Sequence, residues 1–334
     1  DGGAGNDYLS GGNETDTYIF GLGYGNDVVE DSLIDVASNQ NDRVLFNDDV
    51  NPENVTLSRT GKSNDLIITL DDESALTIKD QFQLFSAPGI GLFSTGRIET
   101  FEFQDANKTV WTYEYIMQTL LEQAETEGND TIYGFRREDT LYGGAGDDYL
   151  SGGGEGDTYF FGRGDGHDTI FDDNLEGSSI GSNIDRLILG DDIETADVFV
   201  ERGTGVDDFI LRIIDTNETV TLVDQAKQYV SGPNFRAEIE EIVFSYDDTI
   251  WTTNDLQEMY LSSAGTSGND TIIAFTRHDT LEGGAGNDRL EGRGGGDTYI
   301  FTTGHGQDVI YDFIEYITWD QDDTIIFDGI DATD

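Results

Sequence analysis

Aspartate residues recur at a nearly constant spacing in one stretch of this 334-residue chain, between Gly128 and Phe171. Carboxylate oxygens are the hard ligands that Ca²⁺ prefers, and one ion takes about six to eight oxygens. The glycines before these aspartates permit positive φ and let backbone carbonyl groups approach an ion. Residue type and spacing therefore predict repeated Ca²⁺ sites. The aspartates, spaced nine, nine, nine and eleven residues apart, are Asp130, Asp139, Asp148, Asp157 and Asp168.

The same block occurs three times, and complete blocks are offset by 140 residues. A repeat of this length over the whole chain is typical of a modular array. Acidic residues that are simply exposed to solvent are frequent in glycine-rich turns. These aspartates, however, keep the same spacing in all three blocks, which favours a role as metal ligands. The first block contributes Asp7, Asp16 and Asp27, and the third contributes Asp270, Asp279, Asp288, Asp297 and Asp308.

The spacing also predicts the elements that position the aspartates. An apolar residue lies two positions after each one, as expected if every nonapeptide is a turn followed by a short strand. These residues should stack into one narrow core. In the middle block they are Ile132, Leu141, Leu150, Tyr159 and Ile170.

Residues 143–151 read Gly-Gly-Ala-Gly-Asp-Asp-Tyr-Leu-Ser, which is Gly-Gly-x-Gly-x-Asp-x-apolar-x. This nonapeptide resembles that of RTX (repeats-in-toxin, haemolysin-type calcium-binding) proteins. The resemblance implies a right-handed parallel β-roll in which two nonapeptides form one coil and calcium lies between turns n and n+2. It also implies carbonyl ligands, for which the candidates are Gly3, Gly5, Gly144, Gly146, Gly164, Gly166, Gly284, Gly286, Gly304 and Gly306.

On that geometry each block has two edges. The first edge carries Asp7 and Asp27, then Asp130, Asp148 and Asp168, then Asp270, Asp288 and Asp308; the second carries Asp16, then Asp139 and Asp157, then Asp279 and Asp297. Second-edge turns such as 134–139 and 274–279 lack the inner glycines and carry cations. We therefore expect firmer calcium binding on the first edge, with a guanidinium partly replacing an ion on the second. Acids after the last turns (Glu30, Asp31, Asp172, Asp173 and Asp312) fit solvated residues as well as ligands and are left unassigned.

Two related segments, 32–125 and 174–266, separate the blocks. Alternating runs such as Leu66–Leu70 predict strands joined by hairpin turns, and a short helical pattern follows Trp111 and Trp251. Thr252 and Asp255 predict a capping box. The segments resemble the haemolysin-type calcium-binding-related domain. The predicted domains are 1–31 (truncated β-roll), 32–125 (interblock β domain), 126–173 (β-roll), 174–266 (interblock β domain), 267–312 (β-roll) and 313–334 (truncated third interblock domain).

The composition limits the possible partners. The net charge is 17 − 69 = −52, which opposes binding to nucleic acid and anionic membranes. An acidic disordered tail is one interpretation, but 36% hydrophobic residues and periodic acids favour a chain that folds with multivalent cations. There is no cysteine, no apolar run long enough to cross a bilayer and no signal-peptide pattern. The three histidines, His167, His278 and His305, lie in turns outside any known catalytic motif.

We therefore predict an all-β array of parallel β-rolls alternating with small antiparallel β units, each closed by a short helix. The predicted function is binding of several Ca²⁺ ions coupled to folding, at about 0.1–1 mM Ca²⁺. The resemblance implies the non-catalytic region of a secreted bacterial protein, exported by the type I machinery and folding outside the cell as a scaffold or spacer. Two alternatives stay open. One is an adhesin whose interblock units bind glycans or a cell surface, and the other is a piece of a larger enzyme or toxin.

Overall fold

A computed structural model describes residues 1–31, 41–87, 91–93, 97–172, 184–227, 238–312 and 322–329. The chain divides into two compact units. Unit one comprises residues 1–126 and 131–136, and unit two comprises residues 127–130 and 137–334. The interblock loops 86–97 and 231–236, where the two interblock segments differ most in sequence, lie largely outside the described residues.

The described residues form short strands and two α-helices, α1 (Tyr113–Ala124) and α2 (Thr253–Ala264). Unit one contains β1 (Tyr8–Leu9), β2 (Thr17–Phe20), β3 (Asn26–Val29), β4 (Arg43–Phe46), β5 (Thr56–Ser58), β6 (Leu66–Thr69), β7 (Ala75–Ile78), β8 (Phe85–Ala87), β9 (Gly91–Phe93), β10 (Thr100–Glu102), β11 (Val110–Thr112) and β12 (Thr131–Tyr133). Unit two contains β13 (Thr140–Tyr142), β14 (Tyr149–Ser151), β15 (Thr158–Phe161), β16 (His167–Ile170), β17 (Arg186–Leu189), β18 (Val198–Arg202), β19 (Phe209–Ile213), β20 (Thr219–Leu222), β21 (Glu241–Phe244), β22 (Thr249–Trp251), β23 (Thr271–Ile273), β24 (Thr280–Glu282), β25 (Arg289–Glu291), β26 (Thr298–Thr302), β27 (Val309–Ile310) and β28 (Thr324–Asp328). Short 3₁₀ helices span Pro52–Asn54 and Thr195–Asp197.

In unit one, alternate strands of the roll belong to different sheets. Strands β1, β3 and β7 pair in parallel, and β6 and β5 extend that sheet antiparallel. Strands β2, β4 and β10 pair in parallel in a second sheet, which β11 closes antiparallel. Strands β8 and β9 form a separate hairpin. The interblock strands therefore continue the roll sheets before the direction of pairing changes.

Unit two repeats this arrangement. Strands β14, β16 and β20 pair in parallel and are followed antiparallel by β19 and β18. Strands β13, β15, β17 and β21 pair in parallel, and β22 closes that sheet antiparallel. The third block forms two parallel sheets, β23–β25–β27 and β24–β26–β28.

The core of each roll consists of the inward-facing residue of each short strand. Side chains alternate between the two faces of a strand, so one apolar residue per nonapeptide faces inward. The predicted core residues of the middle block, Ile132, Leu141, Leu150, Tyr159 and Ile170, are all buried. Of their five counterparts in the third block, Ile272, Leu281, Leu290 and Tyr299 are buried and Ile310 is half-buried. This confirms the predicted role of the apolar position.

The N-cap of each helix is a threonine that directly follows a tryptophan, Trp111 before α1 and Trp251 before α2. The Thr112 side chain accepts a hydrogen bond from the Tyr115 N–H, and Thr252 and Asp255 form the predicted capping box. Such caps satisfy N–H groups that have no partner within the helix. Leu256 and Leu261 of α2 are buried, as are Ile116 and Leu121 of α1. Among the described residues, no helix is both long and apolar enough to cross a membrane.

The predicted all-β class, with parallel rolls and antiparallel hairpins, is confirmed. The structure adds that the first interblock strands pair in parallel with roll strands, as β17 does with β15. Blocks and interblock segments thus share sheets. The six domain boundaries given above stay predictions.

Candidate metal centres

The first-edge aspartates form a ladder that runs from turn to turn. The Asp130 N–H donates to Asp148 Oδ1 at 2.7 Å, and the Asp148 N–H donates to Asp168 Oδ1 at 3.1 Å. The third block repeats this through Asp270, Asp288 and Asp308, at 2.9 Å for each bond, and Asp7 donates to Asp27. The structure therefore brings together the predicted first-edge residues.

The second-edge aspartates form an equivalent ladder that runs further than predicted. The Asp139 N–H donates to Asp157 Oδ1 and the Asp157 N–H to Asp185 Oδ1, both at 2.7 Å. Asp185 in turn donates to Glu240 Oε2 at 2.8 Å. Corresponding bonds join Asp16 to Asp42, Asp42 to Glu99, Asp279 to Asp297, and Asp297 to Asp323. Sequence spacing missed Asp42, Asp185, Asp323, Glu99 and Glu240 because the interblock segments interrupt the nine-residue period.

In eight ladder aspartates, one carboxylate oxygen has no protein partner among the described residues. That oxygen is Oδ2, which is buried; in six of the eight, Oδ1 accepts the backbone N–H of a neighbouring turn. A buried anionic oxygen without a partner is costly, and a bound cation removes that cost. A row of such oxygens fits calcium, which takes oxygen ligands. These Oδ2 atoms belong to Asp7, Asp16, Asp27, Asp148, Asp157, Asp168, Asp288 and Asp297.

In several turns, the first glycine makes room for this oxygen. A Cβ at Gly143 would lie 2.3 Å from Asp148 Oδ2, and a Cβ at Gly152 would lie 2.1 Å from Asp157 Oδ2. Gly11, Gly283 and Gly292 stand in the same relation to their aspartates. These glycines are needed for close approach, whereas the sequence alone suggested positive φ as one of their roles. The carboxylate thus lies in a cradle that any larger residue would fill.

All ten glycines predicted to offer carbonyl ligands have positive φ, from 76° at Gly3 to 151° at Gly146. The Gly146 carbonyl accepts the His167 N–H at 3.2 Å, and the Gly166 carbonyl accepts the Thr219 N–H at 3.0 Å. A carbonyl oxygen has two lone pairs, so one remains for an ion. Their role as ligands stays a prediction.

Burial and neighbouring carboxylates make the ladder electrostatically unfavourable when it is fully ionised. Burial raises the pKa of Asp157 to about 10, with further increases from Asp172, Asp139 and Asp185. Burial likewise raises the pKa of Asp168 to about 7 and that of Asp297 to about 7. At neutral pH without a cation, Asp157 is therefore mostly protonated and Asp168 and Asp297 are only partly ionised, so a bound cation would favour the fully ionised ladder.

Arginines occupy the start of the second edge. Arg137 Nε donates to Asp139 Oδ1, and Arg277 Nε donates to Asp279 Oδ1, both at 2.8 Å. Both carboxylates are 0% exposed, whereas the guanidinium groups are 30% and 27% exposed. A guanidinium therefore lies beside a ladder carboxylate at this rung, as the hypothesis from sequence expected.

Three carboxylate clusters lie at the other end of the second edge. In each, the three residues offer oxygens that lie within 4.8 Å of one another. The clusters include Asp31, Asp172 and Asp312, which the sequence had left unassigned. Their signal was present, since each lies 15 residues after a second-edge aspartate (31 − 16, 172 − 157 and 312 − 297). The clusters, called triads below, are Asp16–Asp31–Asp42, Asp157–Asp172–Asp185 and Asp297–Asp312–Asp323.

Parts of the chain match a known repeat family and known proteins. Residues 1–29, 126–159, 133–170 and 264–299 match the RTX calcium-binding nonapeptide repeat in four copies. The iron-regulated protein FrpA of Neisseria meningitidis serogroup C is 31% identical over 131 residues, which are 39% of this chain and 11% of FrpA. The chain thus matches only about a tenth of that relative's length.

Among solved structures, the extracellular lipase LipA from Serratia marcescens is similar over 68% of this chain and 39% of its own. Its sequence identity to this chain is 16% and its TM-score is 0.21. That likeness is too distant to support an argument about fold or activity. RTX nonapeptide repeats bind calcium, and the structure contains several aspartate clusters that could hold metal ions. The blocks at residues 1–29, 126–170 and 264–299 of this chain are RTX calcium-binding nonapeptide repeats.

Proposed function

We propose that this chain is the calcium-dependent folding region of a secreted bacterial protein, serving as scaffold or spacer for an effector elsewhere in that protein. One observation carries the proposal: buried Oδ2 atoms without a hydrogen bond recur along the ladders of all three blocks. Calcium at these rungs would bind the ladder aspartates predicted from sequence. Export by a type I route and folding outside the cell agree with an RTX region.

The physical basis is the balance between charge and core. The chain carries a net charge of −52, and neighbouring ladder carboxylates repel one another. Each nonapeptide contributes one inward apolar residue, such as Leu150, so the roll core is narrow. An ion that binds only the folded state stabilises it by mass action, and several sites multiply the effect. Folding thereby becomes dependent on calcium.

We further propose that the region is non-catalytic. The three histidines contact polar groups, and the prediction that all three lie in turns is wrong for His167, which begins strand β16. His167 Nδ1 lies 3.0 Å from Thr219 Oγ1, His278 Nδ1 lies 3.0 Å from the Gly296 carbonyl, and His305 Nδ1 lies 2.9 Å from Asp308 Oδ2. His305 therefore contacts a ladder aspartate and is not simply a turn residue that faces solvent. These contacts support a structural role for the histidines.

A calcium titration tests the proposal. The whole chain in chelator is titrated with Ca²⁺ while far-UV circular dichroism and the scattering radius are recorded, with Mg²⁺ as the control. We expect a cooperative gain of β signal and compaction at about 0.1–1 mM Ca²⁺ and none with Mg²⁺, which demands a tighter octahedral site. A chain already compact and β-rich in chelator would refute calcium-dependent folding.

A matched pair of variants ties the effect to the ladder. Asp148 is buried and joins two rungs, whereas Asp191 is exposed. We expect Asp148→Asn to raise the calcium midpoint by at least about tenfold, because it removes one charge from two adjacent rungs. Asp191→Asn should titrate like the unmodified chain. Equal midpoints for both variants would separate the ladder from the calcium response.

The adhesin alternative, in which interblock units bind glycans or a cell surface, stays a prediction. Glycan-array binding by the calcium-loaded whole chain would support it. A calcium-loaded chain that is folded and binds no glycan would leave the scaffold role as the better account.

A further inference from the structure

The middle triad gathers residues from three different places in the chain. Asp157 directly precedes β15, Asp172 lies two residues after β16 ends, and Asp185 directly precedes β17. All three are buried, at 0%, 1% and 0% exposure, and their oxygens lie within 4.8 Å of one another. Asp157 and Asp185 belong to the second-edge ladder, but Asp172 belongs to neither edge. The triad therefore has one carboxylate more than a ladder rung.

An independent observation points to an ion in this cluster. Asp157 Oδ1 accepts the Asp139 N–H, while Asp157 Oδ2 is buried and accepts no hydrogen bond from the residues that the structure describes. A Cβ on Gly152 would lie only 2.1 Å from that Oδ2 atom, so the glycine leaves the space that the oxygen occupies. Gly11 and Gly292 leave the same space beside Asp16 and Asp297, at 2.2 and 2.3 Å.

A buried tyrosine fixes the additional carboxylate. The Tyr159 hydroxyl accepts the Gly152 N–H at 2.6 Å and donates to Asp172 Oδ2 at 3.0 Å. Tyr18 makes both bonds in the first block, to Gly11 and Asp31, and Tyr299 donates to Asp312 at 3.0 Å. A hydrogen bond from a neighbouring side chain to a metal-binding carboxylate orients that carboxylate. The tyrosine at this position, predicted only as core, thus also acts on the triad.

We propose that each triad is a separate class of cation site, for Ca²⁺ or a trivalent lanthanide, that fills before the ladder rungs. Affinity for hard cations rises with the number of carboxylates and with the rigidity of the site. The triad has one carboxylate more than a ladder rung, and a tyrosine hydroxyl holds that carboxylate in place. Its ion joins the end of the roll to the first strand of the interblock segment, because Asp172 follows β16 and Asp185 leads into β17. This order is the reverse of the first-edge preference expected from sequence. The inference rests on the proposed calcium function.

The test compares two triple variants of the whole chain. Asp31→Asn, Asp172→Asn and Asp312→Asn remove the third carboxylate of every triad, and each amide oxygen can still accept the tyrosine O–H. Asp7→Asn, Asp148→Asn and Asp288→Asn weaken the first edge instead. Tb³⁺ binding is followed by tyrosine-sensitised luminescence and Ca²⁺ binding by calorimetry. We expect the triad variant to lose its tightest phase, with affinity at least about tenfold lower, and the first-edge variant to keep it.

The outcomes separate this inference from the calcium function. An unmodified chain that gains no β structure with Ca²⁺ refutes the proposed function. A responsive chain whose tightest phase survives the triad substitutions, or is lost with the first-edge ones, refutes the triad inference alone. If the triad variant stays unfolded at every Ca²⁺ concentration, the Tyr18→Phe, Tyr159→Phe and Tyr299→Phe variant decides. Its tightest Tb³⁺ phase should lose luminescence while its Ca²⁺ stoichiometry is kept, and unchanged luminescence would refute the inference.

Discussion

The two edges of the middle roll use the same nonapeptide for different chemistry. On the first edge, Asp130, Asp148 and Asp168 follow one another with the same bond at each rung. The second edge begins with the Arg137–Asp139 ion pair and ends in a cluster of three carboxylates around Asp157. The third block repeats this contrast through Arg277 and Asp297. The first edge has the same contact at each rung, whereas the second edge begins with an arginine beside an aspartate and leads to a cluster of three carboxylates.

If the triads fill first, as proposed, sequence regularity does not measure the strength of a cation site. The first edge keeps the full glycine pattern, and for that reason the sequence favoured it as the firmer calcium binder. The second edge departs from the pattern at both ends, yet the triads with three carboxylates lie there. Turns that depart from the repeat can therefore mark places where the ladder has an additional cation or an additional carboxylate.

The largest expected difference between the edges is their response to pH without calcium. The pKa of Asp157 on the second edge is raised from 3.8 to about 10 by burial and by neighbouring carboxylates, and that of Asp168 on the first edge to about 7 by burial. A raised folded-state pKa gives stability that is fully present below the unfolded value and is lost as pH rises through the folded value. The calcium-free fold should therefore lose up to about 1.4 kcal/mol per pH unit for each such group. The loss ends near pH 7 for Asp168 and near pH 10 for Asp157.

Folding of the chain in chelator by trimethylamine N-oxide, titrated from pH 4 to 10, checks this, because the osmolyte drives folding of a chain that is unfolded without calcium. Stability of the unmodified chain should fall as pH rises. Between pH 7 and 9, Asp168→Asn should keep the slope of the unmodified chain, whereas Asp157→Asn should flatten it. Identical slopes for all three chains in that range would show that the edges do not differ in this way.

The sequence predicted the ladder because its period survives in the chain, but it missed residues that only folding brings together. Asp148 and Asp168 are 20 residues apart within one periodic block, so their pairing followed from the spacing. Asp42 and Glu99 are 57 residues apart across an interblock segment without that period. Asp172 alone has the appearance of any acid after a strand. Its 15-residue offset from Asp157 recurs in the other blocks, but the purpose of that offset becomes visible only in its bond to Tyr159 and its closeness to Asp157.

Substitution of the cradle glycines should have the next largest effect. A Cβ at Gly143 or Gly152 would lie 2.3 or 2.1 Å from a ladder oxygen, whereas a Cβ at Gly154 meets nothing within 4 Å. Overpacking of a close contact costs about 1–3 kcal/mol. Gly152→Ala should cost more than Gly143→Ala, because its Cβ also lies 2.6 Å from the Tyr159 hydroxyl. Urea unfolding at saturating Ca²⁺ measures these costs.

Gly154→Ala is the matched control in the same turn as Gly152, and its stability should change by no more than about 0.5 kcal/mol. A cost at Gly154 equal to that at Gly152 would mean that the turn needs glycine for its backbone and not for the carboxylate. The cradle would then have no special relation to the ion.

The smallest expected effect concerns the arginine rung. Arg137→Gln removes the guanidinium that pairs with the buried Asp139 carboxylate. Loss of one partner of a fully buried pair is strongly destabilising, but the 30% exposure of Arg137 lowers the expected cost to about 1–2 kcal/mol. If the guanidinium holds the place of an ion, Ca²⁺ should replace it, so the cost should shrink as Ca²⁺ rises. Calorimetry should then count one additional ion per chain.

Arg212→Gln is the control, because Arg212 pairs with Glu201 on the β18–β19 hairpin, away from the ladders. Its cost should be the same at every Ca²⁺ concentration. If Arg137→Gln behaves like this control, the guanidinium is an ordinary ion pair and the second edge differs from the first only at its triad. If Ca²⁺ rescues Arg137→Gln alone, cations balance the second edge at both ends, one carried by the chain and one supplied by the solution.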